Sequence, residues 1–283
     1  MATLRELKKR LKSTETTGQL AGAMRTVATA KYRKVSAAFA SYAPYSAALF
    51  GLSSLVPFEK AEAPDEPFAG NEEKKPPLYV LISGNRGLCG GYHHELFAFF
   101  AEEVLKKEPG AEIVVCGRMA EEYCREKGIP VRRVFAVPDV PGAAEARGLC
   151  DYLLGVFSGG EVSSVSFVHQ RFINMLRQTP EIKPFLPPPQ QENAGEAEPP
   201  ETLFIPDRET VMKQLEPLML SSEVCSVLLG CASGQQAATM MAMRSAYDNA
   251  NTSCRKLETE INRRRQAEVT TSVLETSSEA GEY

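Results

Sequence analysis

The chain has 283 residues and a mass of 31.0 kDa, with 43% hydrophobic and 24% charged residues and a formal net charge of −4. That composition excludes wholesale disorder, and the acidic balance argues against a protein built mainly to coat nucleic acid. No run of 18 uncharged apolar residues occurs and Met1 to Lys12 has no apolar core, so neither a membrane-spanning helix nor a signal peptide is expected.

The first segment, 1–58, predicts one long helix. Thr3-Leu4-Arg5-Glu6 has the form of a capping box. Leu4, Leu7 and Leu11 recur at spacings of three and four, and Ala28, Tyr32, Val35, Phe39 and Tyr42 resume the pattern. Gly18 and Gly22 weaken the helix between them, and Pro44 is a point for a kink. Nine Lys or Arg face only Glu6 and Glu15 in this segment. Such a basic face suits a solvated rod, docking onto an acidic protein surface or, as a third reading that the acidic C-terminus opposes, nucleic acid.

A loose, Pro-, Glu- and Lys-rich stretch at 59–77 leads into an α/β domain spanning 77–190. Leu78–Ser83, Glu112–Cys116, Arg133–Val137 and Val165–Val168 read as strands, the first as an apolar run covered on both faces. Helical stretches Glu95–Lys107, Arg118–Lys127 and Ala143–Phe157 lie between them, so the expected sheet is parallel with helices against it. A second loose segment, 187–201, is acidic and Pro-rich.

The last segment, 208–283, predicts another long helix. Met240, Met243, Tyr247, Ala250, Cys254, Leu257 and Ile261 alternate at three and four, a coiled-coil seam. Both terminal helices read as single apolar stripes, too narrow for burial in a globule. The bland alternative is two ordinary amphipathic bundle helices. With one domain inserted between them, the helices must run antiparallel as a rod with a globule on one end. Joins near 57 and 208 place Leu4 level with Ile261, leaving about 20 residues, roughly 30 Å, as an unpaired tip.

The loop Ser83-Gly84-Asn85-Arg86-Gly87-Leu88-Cys89-Gly90-Gly91 suggests a phosphate cradle, but its spacing is GxxGxxG, and the Lys-Ser/Thr pair of a P-loop is absent. Cys116-Gly117 stands where a ribose-binding acid is needed. A structural turn is the preferred reading, with Arg86 reaching a partner surface. Cys89 near His93 and His94 is a weak nucleophile candidate without an orienting carboxylate. Asp139, Glu145 and Asp151 read as solvated positions, and His169 as a hydrogen-bonded structural residue. The seven cysteines form no CxxC pair, so reduced thiols of a cytosolic protein are expected, with no metal site and no cofactor. Met24, Met240, Met241 and Met243 read as seam residues, adaptable enough for a surface that meets changing partners.

Several motifs together resemble the gamma subunit of the rotary ATP synthase. They are Ala23-Met24-Arg25-Thr26-Val27-Ala28-Thr29-Ala30-Lys31, the signature loop Arg86-Gly87-Leu88-Cys89-Gly90, Phe172-Ile173-Asn174 with Leu186-Pro187, and Met240-Met241-Ala242-Met243-Arg244 with Asp248-Asn249-Ala250, Asn262 and Arg265-Gln266-Ala267. The resemblance implies an antiparallel coiled coil with an inserted Rossmann-like α/β domain. It implies a noncatalytic rotor shaft that couples proton flow through a membrane ring of c subunits to the catalytic beta subunits. The implied partners are the alpha–beta hexamer, the epsilon subunit and the c ring, with no nucleic acid and no direct membrane span. The implied location is the cytoplasmic face of the cell membrane, and Met24, Gln266 and Thr270 are implied contacts to a beta subunit. The chain departs from the family pattern at Asn85 (usually Asp), Gln235 (usually Glu), Thr239 (usually Arg) and Ser272 (usually Glu). The other reading is a small-molecule-binding α/β protein with a coiled-coil dimerisation rod.

Overall fold

The computed structural model describes residues 3–55, 75–188 and 207–279. Most of the two segments expected to be loose, 59–77 and 187–201, and the last four residues of the acidic C-terminus lie outside the described residues. The elements are α1 (Leu4–Leu55), β1 (Leu78–Ile82), α2 (Tyr92–Phe100), β2 (Glu112–Cys116), α3 (Arg118–Lys127), β3 (Arg133–Phe135), α4 (Ala143–Ser158), β4 (Val165–Asn174), β5 (Arg177–Leu186) and α5 (Arg208–Glu279). A π-helical turn, Ala101–Leu105, extends α2. The chain divides into two compact units, one of residues 1–29 with 239–283, the other of residues 30–238.

In the larger unit the sheet order is β3-β2-β1-β4-β5, with β1 parallel to both β2 and β4 and β2 parallel to β3. Alternate residues of β1 serve opposite cores. Leu78, Val80 and Ile82 pack with α4, with Val35 of α1 and with Leu220–Cys231 of α5, while Tyr79 and Leu81 pack with α2 and α3. Two layers of helix therefore sandwich the sheet, which explains why β1 carries no charged residue.

The structure adds one strand to the expected sheet. β4 continues to Asn174 and returns as β5, antiparallel, pairing Val168 with Ile182 and Phe172 with Gln178. Pro180 and Pro184 disqualify β5 as a central strand, but it is the sheet's last strand and proline is tolerated there. His169 also departs from expectation. It is 5% exposed, and among the described residues neither ring nitrogen has a hydrogen-bond partner. Burial pushes its pKa down to about 4, so it stays neutral beside Glu181, 3.4 Å away.

A larger correction concerns α5. Residues 219–237 are buried on nearly every side of the helix, not along one stripe. The stretch Val224-Cys225-Ser226-Val227-Leu228-Leu229-Gly230-Cys231 is small or apolar all round, as a fully enclosed helix must be. By length and composition α5 also contains a stretch apolar enough to cross a membrane, and 56% of it is buried inside the protein. A core helix satisfies the same test, and this burial marks it as one.

In the smaller unit α1 begins with the expected capping box. The Thr3 amide donates to Glu6 Oε2 at 2.9 Å and the Glu6 amide to Thr3 Oγ1 at 3.3 Å. Leu7 is 2% exposed and Met243 8%, while Leu4, Leu11, Met240, Tyr247, Leu257 and Ile261 are half-buried. A Cβ at Gly18 would lie 3.1 Å from Ala250 Cβ, and one at Gly22 would lie 3.3 Å from the Tyr247 ring. These pairs make the helices antiparallel, with a register about one helical turn from the expected level of Leu4 with Ile261. Beyond it Val269, Val273 and Leu274 are 56%, 62% and 64% exposed.

Two expectations follow from this packing. Leu7→Asp would bury an unpaired carboxylate at a cost of about 3–5 kcal/mol. Thermal unfolding followed by circular dichroism should show a clearly lowered midpoint, with a smaller loss for Leu257→Asp at its half-buried position; an unchanged midpoint for Leu7→Asp would refute the assigned seam. The cysteines give a pH dependence. All seven are free thiols, six of them buried. Burial pushes Cys116 and Cys150 up from 9.0 to about 12. Unfolded thiols therefore ionise first, and stability should be full below about pH 9 and fall as pH rises toward 12. Thiol labelling of the native protein should reach Cys254 first and the other six only on unfolding.

Candidate functional site: the glycine loop and the core helix

The loop that follows β1 is built around the start of α3. Ser83 Oγ accepts from the Ala120 amide at 2.8 Å, the Gly84 carbonyl from the Met119 amide at 3.0 Å, and Asn85 Oδ1 from the Arg118 amide at 3.2 Å. The first three amides of α3, the usual donors to a phosphate at a helix N-terminus, are thus spent within the chain. Gly117 precedes them at φ 92°, where a Cβ would lie 2.3 Å from the Ser83 carbonyl oxygen. Asn85 Nδ2 also donates to the Val137 carbonyl at 2.5 Å, so one amide side chain joins the ends of β1, α3 and the loop after β3.

The crevice beyond the carboxyl ends of the strands, where α/β folds of this kind place ligands, is occupied by the protein itself. Gln235 of α5 enters it, 7% exposed, and donates from Nε2 to the Arg86 carbonyl at 2.8 Å. Gly84 makes room for it: a Cβ there would lie 2.1 Å from the Gln235 amide atoms. The space left between Ile82, Asn85, Pro138, Leu228 and Gln235 is about 20 Å³, enough for roughly one water and far too small for a nucleotide.

His93 Nε2 lies 3.1 Å from the same Arg86 oxygen. A carbonyl only accepts, so Nε2 carries the proton, and burial pushes the His93 pKa down and keeps the ring neutral. Cys89 is 4% exposed and burial raises its thiol pKa, the opposite of an activated nucleophile. Tyr92 donates from its hydroxyl to the Cys231 carbonyl at 3.0 Å, and its own carbonyl accepts from Gln170 Nε2 at 3.0 Å.

Of the three acids read as solvated, Asp151 is exposed as expected, while Asp139 and Glu145 have partners. Lys31 Nζ is 2.5 Å from Asp139 Oδ2, and Arg86 Nη2 reaches the same oxygen at 4.0 Å with its side chain 70% exposed. Glu145 accepts from the Gly142 amide at 2.9 Å and caps α4. Of the signature residues, Leu88 takes φ 64° and is 60% exposed. Gly87 is exposed and Gly90 turns at φ 62°. Near the C-terminus Gln266 and Thr270 are exposed, with Thr270 Oγ1 donating to the Gln266 carbonyl at 2.9 Å; Met24 is half-buried. No group of His, Cys, Asp or Glu among the described residues is arranged to hold a metal ion.

The Gln235 and Lys31–Asp139 contacts were not anticipated. The signal for the first was the Gln235-Gln236 pair in an otherwise small and apolar stretch, since a buried amide needs dedicated partners. Lys31 and Asp139 are 108 residues apart, and nothing local in the sequence connects them.

This fold is that of the central-stalk chains of ATP synthases. The structure aligns with one from the rotor of the Euglena gracilis mitochondrial ATP synthase (TM-score 0.65, 16% identity, 94% of this chain and 98% of that one). It also aligns with one from the central stalk and c-ring of the Tetrahymena thermophila mitochondrial ATP synthase (TM-score 0.58, 17% identity, 80% and 99%). The family model described as ATP synthase matches residues 3–280. ATP synthase gamma chains of Desulforamulus reducens and Moorella thermoacetica are 31% and 30% identical to this chain, each over 97% of both sequences. The chain belongs to the ATP synthase family, among its gamma chains.

The fit of Gln235 to Gly84 predicts a coupled pair. Gly84→Ala should destabilise the protein by about 1–3 kcal/mol through overpacking, and the loss should shrink in a Gln235→Ala background. Denaturant unfolding of the four proteins measures this; additive losses would show that the two residues do not share one space.

Proposed function

We propose that the chain is the noncatalytic central rotor shaft of a proton-translocating ATP synthase, turned by proton flow through a membrane ring of c subunits and driving the catalytic beta subunits through ATP synthesis or hydrolysis. The observation that carries the reading is the filled crevice. Among the described residues the glycine-rich loop after β1 is spent on the chain's own helices, and its crevice leaves no room for a nucleotide.

In this reading 1–58 and 208–283 form the shaft and 77–190 the α/β domain. Leu4, Leu7, Leu11, Met240, Met243, Tyr247, Leu257 and Ile261 hold the two shaft helices together. Met24, Gln266 and Thr270 meet a beta subunit, and the exposed amide of Gln266 suits a polar contact. The loop from Arg86 to Gly90 is a structural signature and not a ligand site. The alpha–beta hexamer, the epsilon subunit and the c ring are the partners, and the complex lies at the cytoplasmic face of the cell membrane. A small-molecule-binding protein with a dimerisation rod is disfavoured because Gln235 occupies the space its ligand would need.

Two measurements test this. The purified chain alone should show neither ATP turnover nor stoichiometric nucleotide, and turnover lost on changing Arg86 would contradict the reading. Co-expressed with its alpha and beta subunits, the chain should yield one hexamer-bound copy whose removal abolishes coupled synthesis; a complex that assembles and couples without it would refute the role.

A further inference from the structure

Torque carried by α5 has to be taken up by the sheet it crosses. Apolar packing holds this helix down over 219–237, but burial is non-directional and does not by itself fix a helix against turning about its own axis. Hydrogen bonds of defined geometry do. Two consecutive turns of α5 carry them. The Cys231 carbonyl accepts from Tyr92 at 3.0 Å, and Gln235 Nε2 donates to Arg86 at 2.8 Å. The second is made by a side chain of α5 that enters a slot beside the strand ends, whereas the other side-chain tie of this stretch, Glu223 to Lys183 at 2.9 Å, reaches the edge strand β5.

The slot leaves little room around the amide. Gly84 lies against the Gln235 amide so closely that a single added carbon would lie at 2.1 Å, and only about 20 Å³ remains beside it. The far wall is rigid because Asn85 ties it to α3 and to the loop after β3, and His93 shares the Arg86 carbonyl from α2. A rotation of α5 must therefore drag α2, α3 and the strand ends with it or break the bond. Asn85 and Gln235 are both neutral, and both stand where the family pattern has acids. The Gln235 amide can donate to a carbonyl, which a carboxylate cannot.

We propose that Gln235, held by the Arg86 carbonyl in the slot that Gly84 leaves open, is a positioning residue that locks α5 to the α/β unit and so keeps proton flow in step with nucleotide chemistry. The proposal rests on the rotor reading given above. Gln235→Met fills the same space without the donor, and Gln235→Ala removes both. Each is placed in the complete ATP synthase, reconstituted in lipid vesicles, and ATP hydrolysis and ATP-driven proton pumping are measured on the same preparation. Both variants should assemble and hydrolyse ATP at close to the parent rate. Protons pumped per ATP should fall about threefold to tenfold, the scale of one lost buried hydrogen bond.

Pumping per ATP equal to the parent in Gln235→Met overturns the lock alone. Hydrolysis and pumping falling in proportion also overturns it, since that is the signature of a merely structural residue. If Gln235→Ala does not assemble, the Met variant carries the test. A parent complex that pumps no protons with this chain present overturns the rotor reading, and the lock with it.

Discussion

One helix, α5, has to satisfy two environments without a break. Over 219–237 it lies under a sheet and against α4, where an unpaired polar group would be stranded, and apart from Glu223, Gln235 and Gln236 its residues are small or apolar in every direction. From Met240 it needs only a seam, and the buried positions thin to Met243 and Ala250 with half-buried neighbours at three- and four-residue spacings. The remaining features of the fold accommodate this helix. Gly84 lacks a side chain so that Gln235 fits, Glu223 is neutralised by Lys183 at 2.9 Å, and Ser226 faces Ser46 of α1 at 3.4 Å.

The parallel part of the sheet has the architecture of a dinucleotide-binding fold, and its chemistry has been turned inward. Ligands of such folds use the helix N-termini and the space above the strand ends. Here the amides of α3 are answered by Ser83, Gly84 and Asn85, and the space is taken by Gln235. The opposite end of the sheet is closed by charge. Arg132 donates to Glu112, Glu161 and the Tyr152 hydroxyl, while Arg133 stacks 4.6 Å above the Tyr152 ring. With both ends committed to internal contacts, the α/β unit is suited to carrying load.

Much of this was legible in the residues. The runs at 78–82 and 113–116 carry no charge, so strands buried on both faces were readable, and the Leu4-Leu7-Leu11 spacing made the first helix readable. β5 was not, because Pro180 and Pro184 argue against a strand unless its place at the sheet edge is known. The enclosure of α5 was missed for a related reason. A short apolar stretch without period looks like an interruption of a seam when the clear three-four spacing begins only at Met240. The site itself could be read as a turn, but its content depended on a residue of another element, Gln235, some 150 positions along the chain. Spacing rules do not reach that far.

The register of the paired helices shows how local fit overrides chain geometry. Equal lengths measured from the joins would set Tyr247 beside Gly18 and Met243 beside Gly22. The observed pairing sets Tyr247 against Gly22 and Ala250 against Gly18, one turn away. A Cβ at Gly22 would crowd the Tyr247 ring at 3.3 Å, and Ala250 is small enough to meet Gly18 at the same time. In this register Arg25 also lies 5.0 Å over the Tyr247 ring, so its aliphatic stem covers the seam while its charge meets the aromatic face. Carried to the start of α1, the same offset brings Leu7, not Leu4, to the level of Ile261, in keeping with Leu7 being the most buried leucine of that end. The half-buried Arg264 then falls near Leu4, and the exposed Val269, Val273 and Leu274 lie beyond the reach of α1. The glycines that weaken α1 as an isolated helix are therefore what fixes where the two helices meet.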